Sequence, residues 1–281
     1  MTNTAANIPV FVINLRRDVA KKEYMRELCK TYNFFPGFIQ AVDGSLLSEE
    51  ECKVVYIKEK CVKKNHRSLS KGEIGCALSH KKIYQKMVDE SISKALILED
   101  DIAFNGELSG VLEMVNDSPK NWNIVLLGHH SCIAWGGHDP RNIETHCSIF
   151  GKQKLNEKYK LARPAECGCG TYGYIIKLEA AKIMLRDLDL ICQPIDHYTG
   201  VDSSLNLYAV IPAPITICHF LSENYHSMNE RNESINSVIL NKQASLKKRV
   251  LNYFHLYEVA DMLRANYVKF KHSVKIPRRY R

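Results

Sequence analysis

The order of apolar and amphipathic segments predicts an α/β fold with a mostly parallel sheet flanked by helices. Three observations carry that expectation. Short, continuous apolar runs at residues 8–13, 95–98 and 122–127 read as strands covered on both faces. Segments with helical spacing lie between them. No Gly-rich phosphate loop follows the first run, which disfavours a nicotinamide or P-loop protein.

The first strand, residues 8–13, ends in Asn14-Leu15-Arg16-Arg17-Asp18, and a helix is expected over residues 18–32 with Asp18 as its N-cap. Residues 37–44 read as a strand and turn, and residues 45–60 as one or two short helices. The basic, polar stretch 58–71 reads as a mobile loop. Ser70-Lys71-Gly72-Glu73 has the form of a capping box, opening a helix to about residue 90. Its apolar face carries Ile74, Ala77, Leu78, Met87 and Val88, with Ser79 and His80 beside it. After the strand at 95–98 a helix is expected over 106–115, then the strand 122–127 ending in Gly128-His129-His130. Residues 131–167 lose all periodicity, which is long for a loop and suits a lid or acceptor-binding insert. A Gly-rich strand follows at 168–176 and a helix at 178–188. The segment Gln193-Pro194-Ile195-Asp196-His197 reads as a loop, 202–207 as a short helix, and 209–218 as a Pro-broken strand ending at His219.

The chain has 281 residues, 45% hydrophobic and 25% charged, and suits one large domain with an appendage. No run of 18 apolar residues occurs to span a membrane. Residues 1–7 are polar and unlike a signal peptide, so a cytosolic chain is expected. Ten cysteines are scattered, and reduced thiols are the expected state. Cys167-Gly168-Cys169 is a close pair without the partner pair of a zinc site. The net charge of +8 is C-terminal: residues 242–281 hold eleven Lys and Arg against Glu258 and Asp261. That segment, helical from about residue 234 and interleaved with Tyr and Phe, suits an anionic membrane surface. A solvated helix face or a nucleic-acid contact are the other readings of such charge.

Chemistry is expected at Glu99-Asp100-Asp101, which ends the strand 95–98. Open α/β sheets place ligands at the carboxyl ends of their strands. Adjacent carboxylates raise one another's pKa unless a cation joins them, and oxygen ligands suit Mg²⁺ or Mn²⁺. Alternation sends Glu99 and Asp101 to one side and Asp100 to the other. The same triplet also reads as an inert polar strand exit.

Five motifs in order resemble glycosyltransferase family 25, the bacterial lipooligosaccharide galactosyltransferases with the collagen galactosyltransferases as relatives. They are Val12-Ile13-Asn14-Leu15-Arg16-Arg17-Asp18; Gly72-Glu73-Ile74-Gly75-Cys76-Ala77-Leu78-Ser79-His80; Leu96-Ile97-Leu98-Glu99-Asp100-Asp101; Gly170-Thr171-Tyr172-Gly173-Tyr174-Ile175-Ile176; and Pro194-Ile195-Asp196. After Asp196 the chain departs from the pattern, and His219 stands where the family often has Gln.

The resemblance implies a GT-A-like (Rossmann-like) fold, placed over residues 1–233, while the residue pattern itself suggests the helical basic segment over 234–281. It implies an inverting transfer of a hexose, most often galactose, from a UDP-sugar to a lipooligosaccharide or lipopolysaccharide glycan. The glycolipid acceptor and basic tail place the chain peripherally on the inner face of a bacterial cytoplasmic membrane, without a nucleic-acid partner. Asp101 is then the direct ligand of Mn²⁺ or Mg²⁺, with Glu99 and His219 as further ligands. Asn14, Arg16, Ser79, His80, Glu99, Asp100, Gly170, Thr171, Gly173 and Tyr174 serve the donor. Asp196 is the first candidate for the base and Asp202 the second, although either also suits a turn or helix cap. The alternatives are a glucose donor, a catalytically silent sugar or nucleotide binder, and a metal-dependent phosphohydrolase.

Overall fold

A computed structural model describes residues 8–65, 67–131, 144–165, 168–199 and 205–218. The elements in chain order are β1 (Val10–Asn14), α1 (Val19–Thr31), β2 (Gly37–Gln40), a 3₁₀ turn (Gly44–Leu46), α2 (Glu49–Val55), α3 (Lys58–Asn65), α4 (Lys71–Asp89), β3 (Lys94–Leu98), β4 (Ile102–Phe104), α5 (Leu108–Asn116), β5 (Ile124–Ser131), β6 (Gln153–Lys154), β7 (Lys160–Ala162), β8 (Gly168–Lys177), α6 (Leu178–Asp187), α7 (Ile195–Tyr198), β9 (Leu207–Ile211) and β10 (Ile215–Ile217). Eight strands form one sheet in the order β2-β1-β3-β8-β5-β9-β7-β6, and β10 pairs with β4 apart from it. Following the pairings across, six of the eight strands run one way, while β8 and β7 run against them. The α/β class expected from the sequence is therefore observed, with the sheet mixed rather than uniformly parallel.

The strands read as unbroken apolar runs because both faces of the sheet are covered. Phe11, Ile13, Ala95, Ile97, Tyr174 and Ile176 point into one core layer with α4 and α6. Val10, Val12, Leu96, Leu98 and Ile175 point into the other with α1 and α5. Helix α4 begins at the expected capping box: Ser70 Oγ accepts from the Glu73 amide at 3.2 Å, and the Glu73 carboxylate accepts from the Ser70 amide at 2.8 Å.

Several local expectations are corrected. The stretch 58–71 begins with helix α3, because Cys61 is fully buried and Asn65 Nδ2 donates to the Cys192 carbonyl at 3.1 Å. The lysines between those anchors sit outside, so composition concealed the helix. Asp18 precedes α1 without capping it, and Asn14 Nδ2 instead donates to the Asp18 carbonyl at 3.0 Å. Strand β5 continues beyond residue 127 through His129, whose Nε2 sits 2.8 Å from the Val210 carbonyl oxygen. The stretch 131–167 holds the antiparallel pair β6–β7 at the sheet edge. Asp196 lies in the single turn α7. The Pro-broken strand at 209–218 resolves into β9 and β10 around a cis Ile211-Pro212 bond. Residues 201–204 and 219–281, including the expected short helix at 202, Asp202, His219 and the basic C-terminal segment, lie outside the described residues. Among the described residues, eight cysteines are free thiols and no helix is long and apolar enough to cross a membrane.

Helix α4 approaches the turn after β2 backbone to backbone. A Cβ on Gly75 would lie 2.7 Å from the Val42 carbonyl oxygen and 2.8 Å from the Gly44 nitrogen. Ser79 closes the same contact, accepting from the Val42 amide at 2.8 Å and donating to the Gly75 carbonyl at 2.7 Å. Glycine inside a helix ordinarily costs about 1 kcal/mol against alanine. Gly110 in α5 has room, with only the Glu107 carboxylate 4.0 Å away. Gly110→Ala is therefore expected to stabilise by about 0.5–1 kcal/mol. Gly75→Ala should destabilise by about 1–3 kcal/mol through overpacking. Urea unfolding of the two variants should show opposite signs.

Candidate active site

Parallel β1 and β3 end on the same edge of the sheet, with Val12 opposite Leu98. Each runs straight into a polar turn: Asn14 closes β1, and Glu99-Asp100-Asp101 follows β3. Strand β8 runs the other way with Gly173 opposite Leu98, so its residues Gly170 and Thr171 extend past the end of β3 on that edge. Helix α7 adds Asp196 to this group. One Asp196 carboxylate oxygen accepts from the Gly170 amide at 3.1 Å, and the other from Thr171 Oγ1 at 3.0 Å. The sheet thus brings residues from four separate stretches of sequence to one place.

The acids divide differently from the alternation expected of a strand, because β3 stops at Leu98 and the triplet bends. Asp100 and Asp101 share one side. Lys21 Nζ of α1 lies 3.7 Å from Asp100 and 3.8 Å from Asp101. Asn14 Nδ2 donates to Asp100 Oδ2 at 2.7 Å. Glu99 turns to the α4 side, with Oε1 at 3.6 Å from His80 Nε2. Burial pushes the Asp100 carboxyl up from 3.8 to about 6, against the opposing pull of Lys21 and the Asn14 hydrogen bond. Two carboxylates thus face one ammonium in a partly dry site. An all-oxygen donor set with surplus negative charge fits a hard dication.

Behind Glu99 runs a buried hydrogen-bonded chain. His80 Nδ1 lies 2.8 Å from Tyr174 Oη, which lies 2.7 Å from Tyr84 Oη. His80 and Tyr174 are wholly buried. Burial holds the hydroxyls of Tyr84 and Tyr174 far above the ordinary tyrosine range. Cys76, one helical turn before His80, has its thiol pushed well up by burial and by the neighbouring Glu99 carboxylate.

The expected site residues therefore fall into groups. Asn14, Glu99, Asp100, Asp101, Thr171, Gly170 and Asp196 meet at the sheet edge, and Arg16 is exposed in the turn beside Asn14. Ser79, expected at the donor, is buried and uses its hydroxyl on the Val42 amide and the Gly75 carbonyl. Tyr174 is likewise an internal support for His80 and lines no surface. Gly170, at φ +94°, is needed for the turn itself, and a Cβ there would strike the Tyr172 ring at 2.1 Å. A Cβ on Gly173 would meet Ile215 at 2.6 Å, so its missing side chain serves core packing rather than a ligand. Among the described residues, the group whose ligand atoms lie within 4.8 Å of one another is Cys76, His80 and Glu99. Sequence reasoning missed Lys21, Cys76 and Tyr84. The four-residue spacing of Cys76 from His80 on a helix was the available signal for one of them. Nothing local marked Lys21 as facing the acids.

Comparison with known proteins identifies the family. The profile of "Glycosyltransferase family 25 (LPS biosynthesis protein)" matches residues 7–199. "Procollagen galactosyltransferase 1" of Danio rerio is 26% identical over 219 residues, 75% of this chain and 33% of that protein. A "Glycosyltransferase 25 family member" of Drosophila melanogaster is 29% identical over 209 residues, 70% of this chain and 30% of that protein. "Inactive glycosyltransferase 25 family member 3" of Homo sapiens is 30% identical over 126 residues, 42% of this chain and 21% of that protein. The matched stretches are thus between about a fifth and a third of the length of these relatives.

The Asp100 environment has a measurable consequence. Its folded-state pKa, about 6, lies above its unfolded value near 3.8. The folded form therefore keeps a proton that the unfolded chain has lost across that interval. The resulting stability is complete below pH 3.8 and is lost as pH rises through about 6. In chelator-treated protein, the melting temperature of Asp100→Asn relative to wild type should rise between pH 4 and pH 6. A difference that stays flat over that interval shows that the carboxyl is not held up.

Proposed function

The chain belongs to glycosyltransferase family 25, and from that premise we propose that it transfers a hexose from a UDP-sugar to a glycan hydroxyl. Galactose is the proposed hexose, supported by the names of the procollagen galactosyltransferases it resembles. The proposed acceptor is a lipooligosaccharide or lipopolysaccharide glycan, supported by the description of the family. The observation that carries the reading is the meeting of the Glu99-Asp100-Asp101 turn with Asp196 at one sheet edge, through β8. An acid cluster suits a departing diphosphate with its cation, and a separate, oriented carboxylate suits the attacking hydroxyl.

Asp101 is the proposed direct holder of Mn²⁺ or Mg²⁺, with Asp100 beside it and Glu99 one side removed. His219 remains the proposed further ligand, supported by the bond from the Cys218 amide to the Asp101 carbonyl at 2.6 Å. A dication held by these residues would offset the charge that the leaving UDP gains. Lys21 neutralises part of the acid cluster, and Asn14 fixes the Asp100 carboxylate by donating to it. Arg16, exposed at the end of β1, reaches the uridine or phosphates. Glu99 meets the donor ribose.

The acceptor hydroxyl oxygen attacks the anomeric carbon from the face opposite UDP, and the bond to UDP breaks. Asp196 receives the hydroxyl proton. Hydrogen bonds from the Gly170 amide and Thr171 Oγ1 fix the carboxylate. Attack from the opposite face inverts the configuration, giving a β-linked product. Asp202 is the second candidate base. The basic segment 234–281 is the proposed contact with an anionic membrane surface, on the cytoplasmic side where the UDP-sugar is made available.

The relative named inactive supports a second reading, a sugar or nucleotide binder without turnover. Turnover decides between them. UDP release from UDP-galactose with Mn²⁺ and a truncated lipooligosaccharide should be acceptor-dependent and absent with excess EDTA. Asp101→Ala should abolish it, and Asp196→Asn should lower kcat by at least ~10²-fold with the melting temperature preserved. UDP release by Asp101→Ala at the wild-type rate in EDTA removes the metal assignment, and an effect of Asp196→Asn on KM alone moves the base elsewhere. Separately, removal of residues 269–281 should reduce sedimentation with anionic liposomes at low salt. Equal sedimentation of the shortened and full chains denies the membrane role.

A further inference from the structure

We propose that Cys76, His80 and Glu99 form a second cation site, built for a borderline ion such as Zn²⁺ and distinct from the all-oxygen turn at Asp100 and Asp101. Cys76 and His80 stand four residues apart on α4 and so share a helix face. Their ligand atoms and a Glu99 oxygen all lie within 4.8 Å of one another. Bond lengths to zinc of about 2.0–2.3 Å place tetrahedral ligand atoms about 3.5 Å apart. The His80 Nε2 to Glu99 Oε1 separation is already 3.6 Å. The two other ligands, Cys76 and Glu99, are partly exposed side chains.

An independent observation points to a missing partner. His80 is wholly buried, and its Nε2 makes no hydrogen bond among the described residues. Buried polar atoms are seldom left so. The other ring nitrogen is engaged by Tyr174 Oη at 2.8 Å, itself backed by Tyr84 Oη at 2.7 Å. That is the outer support that fixes a metal-binding imidazole, with Nδ1–H donating and the Nε2 lone pair directed outward. Thiolate, imidazole and carboxylate together select zinc over magnesium or manganese. Binding displaces the Cys76 thiol proton to solvent, leaves His80 neutral, and leaves a fourth position to water. On the proposed transferase reading, zinc there also withdraws Glu99 from the donor, so Zn²⁺ inhibits transfer even with Mn²⁺ in excess.

Co²⁺ titration of the full chain tests the site without reference to turnover. One equivalent should give tetrahedral cobalt bands together with a thiolate-to-cobalt charge-transfer band, displaced by Zn²⁺. Cys76→Ser should lose the charge-transfer band while the melting temperature stays near wild type. Tyr174→Phe keeps all three ligands and removes the Nδ1 partner, so it should weaken cobalt affinity about 10- to 100-fold. If Cys76→Ser does not fold, Cys76→Ala and Tyr174→Phe carry the same test. A charge-transfer band of full amplitude in the Cys76 variants, or no tetrahedral cobalt in wild type, overturns the site. Cobalt binding as expected in a chain that shows no sugar transfer leaves the site standing and defeats only the transferase reading.

Discussion

Strand β8 lies antiparallel between β3 and β5, and the candidate site depends on that one placement. It pairs with both neighbours over its apolar half, Ile175 and Ile176 entering opposite core layers. Because it runs against β3, its polar N-terminal half projects from the edge where β3 delivers its acids. Had β8 been parallel, Gly170 and Thr171 would emerge at the opposite edge, and α7 would carry Asp196 there with them. The register Leu98 to Gly173 therefore does more for the site than any single polar contact. It is held by the burial of both sheet faces, since a slip of one residue would turn every apolar side chain of β8 to the wrong layer.

Among the described residues, that edge gathers three successive carboxylates, two of them beside one lysine. Lys21 is shared between two carboxylates, and Asn14 supplies a neutral donor to one of them. Burial has lifted the Asp100 carboxyl toward neutrality as a result. On the proposed reading, a dication would recover the ionisation that burial opposes. Asp196 differs: both its oxygens are met by donors from β8, so it is held as an oriented carboxylate. On the proposed reading, this separation assigns leaving-group charge to one group of acids and proton transfer to another.

Much of this was legible in the chain. Core strands covered on both sides announce themselves as apolar runs, and the capping box at Ser70 and Glu73 fixed the start of α4 to the residue. The acid turn stood out because three carboxylates in succession are electrostatically expensive. What escaped was set by tertiary pairing. Helix α3 is defined by Cys61 and Asn65 reaching residues far along the chain, and its lysine-rich surface masked that. Ser79 and Tyr174 sit in motifs that the family resemblance drew toward a ligand, yet both spend their hydroxyls inside the protein. The glycines at 170 and 173 make room for Tyr172 and Ile215, contacts that no local pattern reveals.

Glu99 stands between two chemistries, and its direction follows from where β3 ends. Had the strand continued, alternation would have set Glu99 and Asp101 side by side as one oxygen site. The bend after Leu98 instead turns Glu99 toward a histidine whose far nitrogen is tied down by two tyrosines. Those tyrosines are costly to bury unless their hydroxyls are used, and each is used only because His80 accepts a fixed orientation. Such a chain is more than packing requires, since a phenylalanine pair would fill the same volume without polar atoms to satisfy. Its effect is to present a ring nitrogen, without a hydrogen bond of its own, to a carboxylate and a thiol at the rim of the acid turn. On the two proposed readings, cations of different hardness would be separated by side-chain chemistry within a few residues of β3, and would compete for Glu99.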